Sequence, residues 1–143
     1  LALAREAGDV PAEAQAHNIL GMLAARLGDG TAALTELERS LALAEAGDDV
    51  VARIAALNNL ALVEGEQGLV EEALQRVEAA RALCATIGDR HREAALANNA
   101  ADLLHQAGRH DEAVARVKEA VAIFAEVGDE GAMEPEIWKL RDW

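Results

Sequence analysis

Apolar residues recur at three- and four-residue steps over residues 10–27, stop at Gly28, resume over 31–46 and stop again at Gly47. That spacing places them on one face of a helix, so the stretch predicts two helices with a short break between them. The same run-and-glycine pattern follows twice more, over about 49–67 and 70–87, then over about 90–107 and 111–127. Breaks of a few residues force successive helices antiparallel. Residues 1–7 read as the tail of a further helix whose beginning is missing, ended by Gly8, with Asp9 capping the next helix. Beyond Gly128-Asp129, Pro135 opens a last helical stretch over 136–143. Its Ile137, Trp138 and Leu140 are expected to cover the end of a stack, or else to meet whatever follows in a longer protein.

The breaks are periodic. Gly28, Gly68 and Gly108 stand forty residues apart, each with an asparagine ten before it (Asn18, Asn58, Asn98) and an alanine five after it (Ala33, Ala73, Ala113). Gly-Asp pairs at 8, 47, 88 and 128 form a second ladder at steps of 39, 41 and 40 residues. Two breakpoints per period mean two helices per repeat. The expected units are 9–47, 48–88 and 89–128, with 1–8 the end of a truncated repeat and 129–143 a linker and capping helix.

Composition narrows the fold class to all-α. The 52% hydrophobic content is mostly alanine and leucine, with no tyrosine, one phenylalanine and two tryptophans, which suits close helix packing and not a strand-built sandwich. Both prolines, Pro11 and Pro135, sit where a helix would begin. The 26 acidic against 13 basic residues give a net charge of −13, which repels a phosphate backbone and an anionic membrane, so neither nucleic acid nor membrane is expected as a partner. Cys84 is alone and on an apolar face, a core residue by that pattern. A cytoplasmic location is expected, for a chain read as a piece of a longer protein because it opens without methionine.

Catalytic chemistry finds no constellation. His17, His91, His105 and His110 form no recognisable ligand set, with His105 and His110 on either side of Gly108, so no metal is expected. No glycine-rich loop follows a strand to cradle a phosphate, and adjacent carboxylates such as Glu71-Glu72 diverge on a helix. No cofactor and no enzymatic activity are expected.

The small positions carry a resemblance. Gly21, Ala61 and Ala101 in the first helices, the turn glycines Gly28, Gly68 and Gly108, and Ala33, Ala73, Ala113 with Ser40, Ala80, Ala120 in the second helices resemble the tetratricopeptide repeat. The unit is about forty residues rather than thirty-four, and the family's first-helix aromatics are replaced by His17, Leu57, Ala97 and Ala24, Glu64, Leu104. In length it is similar to the forty-residue subgroup of kinesin light chains and modulators of G-protein signalling. The segments 91–96 and 135–140 also resemble C-terminal repeats of actinobacterial STAND-type regulators.

The resemblance implies a right-handed superhelical solenoid of antiparallel helix pairs whose first helices line a concave, peptide-binding groove. On that stripe lie Gln15, Asn18, Met22 and Ala25, then Ala55, Asn58, Asn59, Leu62 and Gly65, then Ala95, Asn98, Asn99, Asp102 and His105. A column of asparagines can offer donors and acceptors to the backbone of an extended peptide; equally, these amides can bond neighbouring helices or water. The lysines and arginines with which relatives grip a C-terminal carboxylate are missing from Gln15, Ile19, Ala55, Asn59, Ala95 and Asn99. With Glu64, Glu66 and Asp102 nearby, a neutral or basic ligand is expected, and Arg26 reads as a solvated helix-end residue. The partner would be a protein, a peptide or another domain of the same parent chain. The alternative is a structural spacer or homo-oligomerisation element.

Overall fold

The computed structural model describes residues 9–127. The expected tail at 1–7 and the C-terminal helix with Trp138 and Trp143 lie outside the described residues. Six helices follow in order: α1 Val10–Arg26, α2 Gly30–Ala46, α3 Val50–Glu66, α4 Val70–Ile87, α5 Arg90–Gln106 and α6 His110–Val127. No strand occurs among the described residues. Each helix begins and ends within a residue of the bounds that periodicity and glycine placement predict.

The turns explain that agreement. After α1, the Gly28 amide donates to the Ala25 carbonyl at 3.1 Å and the Asp29 amide to the Ala24 carbonyl at 2.9 Å. This pair of hydrogen bonds satisfies carbonyls left open at the helix end and needs a left-handed residue, which Gly28 supplies with φ 80°. Asp29 then caps α2, its Oδ1 accepting from the Ala32 amide at 3.0 Å. One three-residue break thus ends a helix and starts the next. Asp9, Asp49 and Asp89 cap α1, α3 and α5 in the same way. The break after α2 departs from the pattern: Gly47 keeps an ordinary φ of −91°, and Asp48 takes the left-handed conformation at φ 52°.

By packing, the chain divides into two units, 1–76 and 77–143, with the division inside α4. In the first, α1 packs on α2, α2 on α3, and α1 touches α3. Small residues set the closest approach. A Cβ added to Gly21 would stand 2.6 Å from Leu37 Cγ and 3.2 Å from the Ala33 carbonyl oxygen, so the α1–α2 crossing has no room for a methyl group. Ala33, Leu37, Ser40, Leu60 and Ala73 of this unit are buried, each large apolar chain contributing about 2 kcal/mol by leaving water. Ser40 Oγ donates to the Ala14 carbonyl at 2.7 Å, so the one hydroxyl in this layer is satisfied. His17, at a position where the family carries an aromatic, is buried and lies 2.5 Å through Nδ1 from Glu36 Oε2.

In the second unit α5 packs on α6. Ala94, Ala97, Ala100, Ala101, Ala113 and Ala120 are all buried, with Val117, Leu104 and Ile123 filling the space between them. Cys84 is buried as expected, and burial pushes its thiol pKa up.

Candidate ligand-binding surface

The first helices carry every residue that the sequence nominates. Asn18 and Met22 are half-buried on α1; Asn58 and Asn59 are half-buried and Leu62 exposed on α3; Asn98, Asn99, Asp102 and His105 are half-buried on α5. In the first unit the asparagines do meet: Asn59 Nδ2 donates to Asn18 Oδ1 at 2.9 Å, bridging α1 and α3. For this pair the helix-bridging alternative holds. The bond spends one donor and one acceptor, leaving each amide further capacity and a fixed orientation.

Beside that bridge the same two helices, with Ser40 of α2, line a half-open cavity of about 470 Å³. Its walls are Pro11, Ala12, Ala14, Val51, Ala52 and Ala55; Gln15, Asn18 and Ser40 add polar groups, and Asp9 and Asp49 add carboxylates. The volume and the mix of apolar wall with few polar groups match what small ligands or a peptide side chain require. Asp9 and Asp49 are held by capping, each Oδ1 accepting from a first-turn amide at 3.1 Å. Sequence reasoning nominated Gln15, Asn18 and Ala55 but missed the helix starts. A signal existed: Asp9, Asp49 and Asp89 recur at forty-residue steps.

Glu64 requires a correction. Expected among the groove acids, it is buried, with Oε1 accepting from Arg76 Nε at 3.2 Å and Oε2 without a hydrogen-bond partner. Burial raises its carboxyl pKa, and the Arg76 charge only partly opposes this. Its forty-residue register explains the placement, since Ala24 and Leu104 stand at the same position. The carboxylates on or capping the first helices that are not buried include Asp9, Asp49, Glu66 and Asp102, and Glu64 is not among them. Arg26 lies exposed in the last turn of α1, as expected.

The second helices also carry ion pairs. Arg76 also bonds Glu38 within the first unit, and Arg116 meets Glu78 at 3.0 Å within the second; the two pairs are one period apart in sequence. Burial alone would raise the Glu119 carboxyl, but hydrogen bonds from Arg81 and Arg116 outweigh it and hold the pKa below the ordinary carboxylate range.

The family model for the tetratricopeptide repeat matches residues 12–82 and again 52–126, two windows starting one forty-residue period apart. The chain belongs to the tetratricopeptide repeat family. Tetratricopeptide repeats are commonly protein-interaction modules, and their fold is typically non-catalytic. Among solved structures, the tetratricopeptide repeat domain of Arabidopsis FLU is 20% identical with a TM-score of 0.73, covering 83% of this chain and 99% of that one. A Podosopora anserina putative kinesin light chain with nearly identical tetratricopeptide-like repeats is 22% identical with a TM-score of 0.69, covering 85% of this chain and 60% of that one. At these identities the likeness is one of fold. No curated protein matches the chain. Among the described residues no helix is long and apolar enough to cross a membrane.

Proposed function

We propose that this tetratricopeptide repeat chain is a non-catalytic binding module, part of a larger regulatory or scaffolding protein, that holds an extended neutral or basic peptide segment on its first helices. The ligand belongs to a partner protein or to another domain of the parent chain. The observation that carries the reading is the cavity between α1 and α3, whose apolar floor is edged by the amides of Gln15 and Asn18 and by the capping carboxylates of Asp9 and Asp49. Asn58, Asn59, Met22 and Leu62 extend the surface in the first unit, and Asn98, Asn99, Asp102 and His105 offer a surface of the same kind within the second. Amides serve the peptide backbone, while the carboxylates favour lysine or arginine side chains.

Selection of a random peptide display library against the chain tests this. Bound peptides are expected to be enriched in lysine and arginine and depleted in acidic residues. Replacing Asn58, Asn98 and Asn99 together with alanine should leave helicity unchanged and weaken a selected peptide by more than about tenfold, or about 1.4 kcal/mol. Unaltered affinity rejects the assignment.

The second reading, self-association, gains support from α1, where Ile19, Leu23 and Leu27 are exposed one turn apart, Leu27 at 77%. A stripe of that kind buries itself against a copy when one is available. Mass rising with concentration in sedimentation, and returning to monomer in Leu23→Lys, would favour it over peptide binding.

A further inference from the structure

The α5–α6 turn brings two imidazoles together, His105, which the peptide-binding reading places on its surface, and His110, which that reading does not use. His105, in the last turn of α5, and His110, the first residue of α6, face each other across the Gly108 turn with Nδ1 to Nδ1 at 3.1 Å. Their ring centres are 4.9 Å apart and the rings are inclined at 66°. These distances can be set against two kinds of contact. The contact is within hydrogen-bond geometry, and it is bent at the rings, since a bond aligned with both would separate the centres by about 5.4 Å. Two imidazole nitrogens sharing one ion at about 2.0–2.1 Å stand about 2.9 Å apart at a right angle and about 3.3 Å apart at the tetrahedral angle, with ring centres about 4.5 and 5.2 Å apart. Both observed distances fall inside those ranges, and each corresponds to an angle of about 100° at the ion. Both distances are therefore compatible with the two nitrogens sharing one ion.

We propose that His105 and His110 form a two-imidazole site for a divalent first-row transition ion, such as Zn²⁺ or Cu²⁺, that closes the turn between α5 and α6. Imidazole suits those ions and not Mg²⁺ or Ca²⁺. Among the described residues no group of three or more histidine, cysteine or carboxylate side chains is placed to hold an ion, so water completes the shell and affinity is moderate. The surroundings favour a cation. Arg109, the nearest positive charge in sequence, is paired with Glu112 by contacts of 3.0 and 2.8 Å, and the chain carries a net charge of −13. His110 is exposed and His105 half-buried, so an ion reaches both from solvent. Bound there, it ties the end of one helix to the start of the next and stabilises the folded form by mass action.

Calorimetric titration of the unaltered chain with Zn²⁺ and with Cu²⁺ tests the site, with Mg²⁺ as the hard-ion control and the electron paramagnetic resonance of Cu²⁺ as a direct report of nitrogen ligation. One saturable site at sub-millimolar concentration is expected, with nitrogen coupling in the Cu²⁺ spectrum and a rise in thermal midpoint with Zn²⁺. His105→Ala and His110→Ala should each weaken binding by about tenfold or more, since even an outer-shell partner of a metal ligand is worth that much. His91→Ala should change nothing. His110→Gln keeps a polar residue at the helix start, so loss of binding there, with helicity intact, separates ligand loss from misfolding. Absence of saturation below about 1 mM, or undiminished binding in both histidine variants, overturns the proposal.

Discussion

Helices α1 and α3 occupy the same place in successive repeats, yet equivalent residues fare differently. Leu20 and Leu23 of α1 are 37% and 51% exposed, whereas Leu60 and Val63, forty residues on, are 0% and 2% exposed. The difference accompanies a difference in neighbours: α2 precedes α3 and packs on it, whereas among the described residues no helix precedes α1. Burial in a repeat is thus a property of the stack and not of the unit's own pattern.

The largest test of this contrast is the pair Leu60→Ala and Leu20→Ala. The first should lower the stability of the chain by about 2–5 kcal/mol, as buried leucine truncations do, and the second by no more than about 1 kcal/mol. Urea unfolding followed by circular dichroism reads both. Equal losses would break the comparison. A second contrast concerns the small position: Gly21→Ala should cost about 1–3 kcal/mol through its clash with Leu37, although alanine is the better helix former and already stands at Ala61. A gain in thermal midpoint would mean that the crossing is looser than described.

Glu64 and Leu104 sharpen the same theme with charge, a carboxylate and a leucine buried at one register position. Glu64→Leu should stabilise by about 1 kcal/mol, because a buried charge in an imperfect pair costs more than the hydrocarbon that replaces it, and Arg76 keeps its bond to Glu38. The pH dependence follows from the raised carboxyl pKa. The folded chain holds the Glu64 proton more tightly than the unfolded one, so this contribution is fully present below the ordinary carboxylate pKa and is lost as pH rises through the raised value. Unfolding free energy measured across that window should fall with rising pH, and Glu64→Leu should remove that part of the slope. An unchanged slope would reassign the proton to another group. The smallest effect is at Asp48, whose left-handed backbone suits glycine better. Asp48→Gly should gain about 0.5–1 kcal/mol, read as a shifted midpoint.

Helices and turns were legible because their signals are local. The glycine, the capping aspartate two residues on or next to it, and the apolar stripe all lie within one turn of the boundary that they mark. What escaped depends on register between helices. His17 with Glu36, Asn18 with Asn59, and Arg76 with Glu38 join residues 19, 41 and 38 apart, and periodicity alone does not say which side chains meet. Glu64 shows the intermediate case: the forty-residue frame already set it beside Ala24 and Leu104, yet its charge suggested solvent. For the candidate site, the asparagine stripe and the recurring Asp9 and Asp49 were legible in the sequence, whereas the cavity walls at Pro11 and Val51 were visible only once α1 and α3 were laid together.

The central claim, that the first helices hold the ligand, is tested most directly by the amide spectrum of isotope-labelled chain titrated with a lysine-rich peptide selected against it. Shifts should concentrate at Gln15, Asn18, Val51 and Ala55, with the exposed Thr35, Arg39 and Ala42 of α2 unmoved. Shifts confined to α2, with Gln15 and Ala55 silent at saturation, would contradict the account.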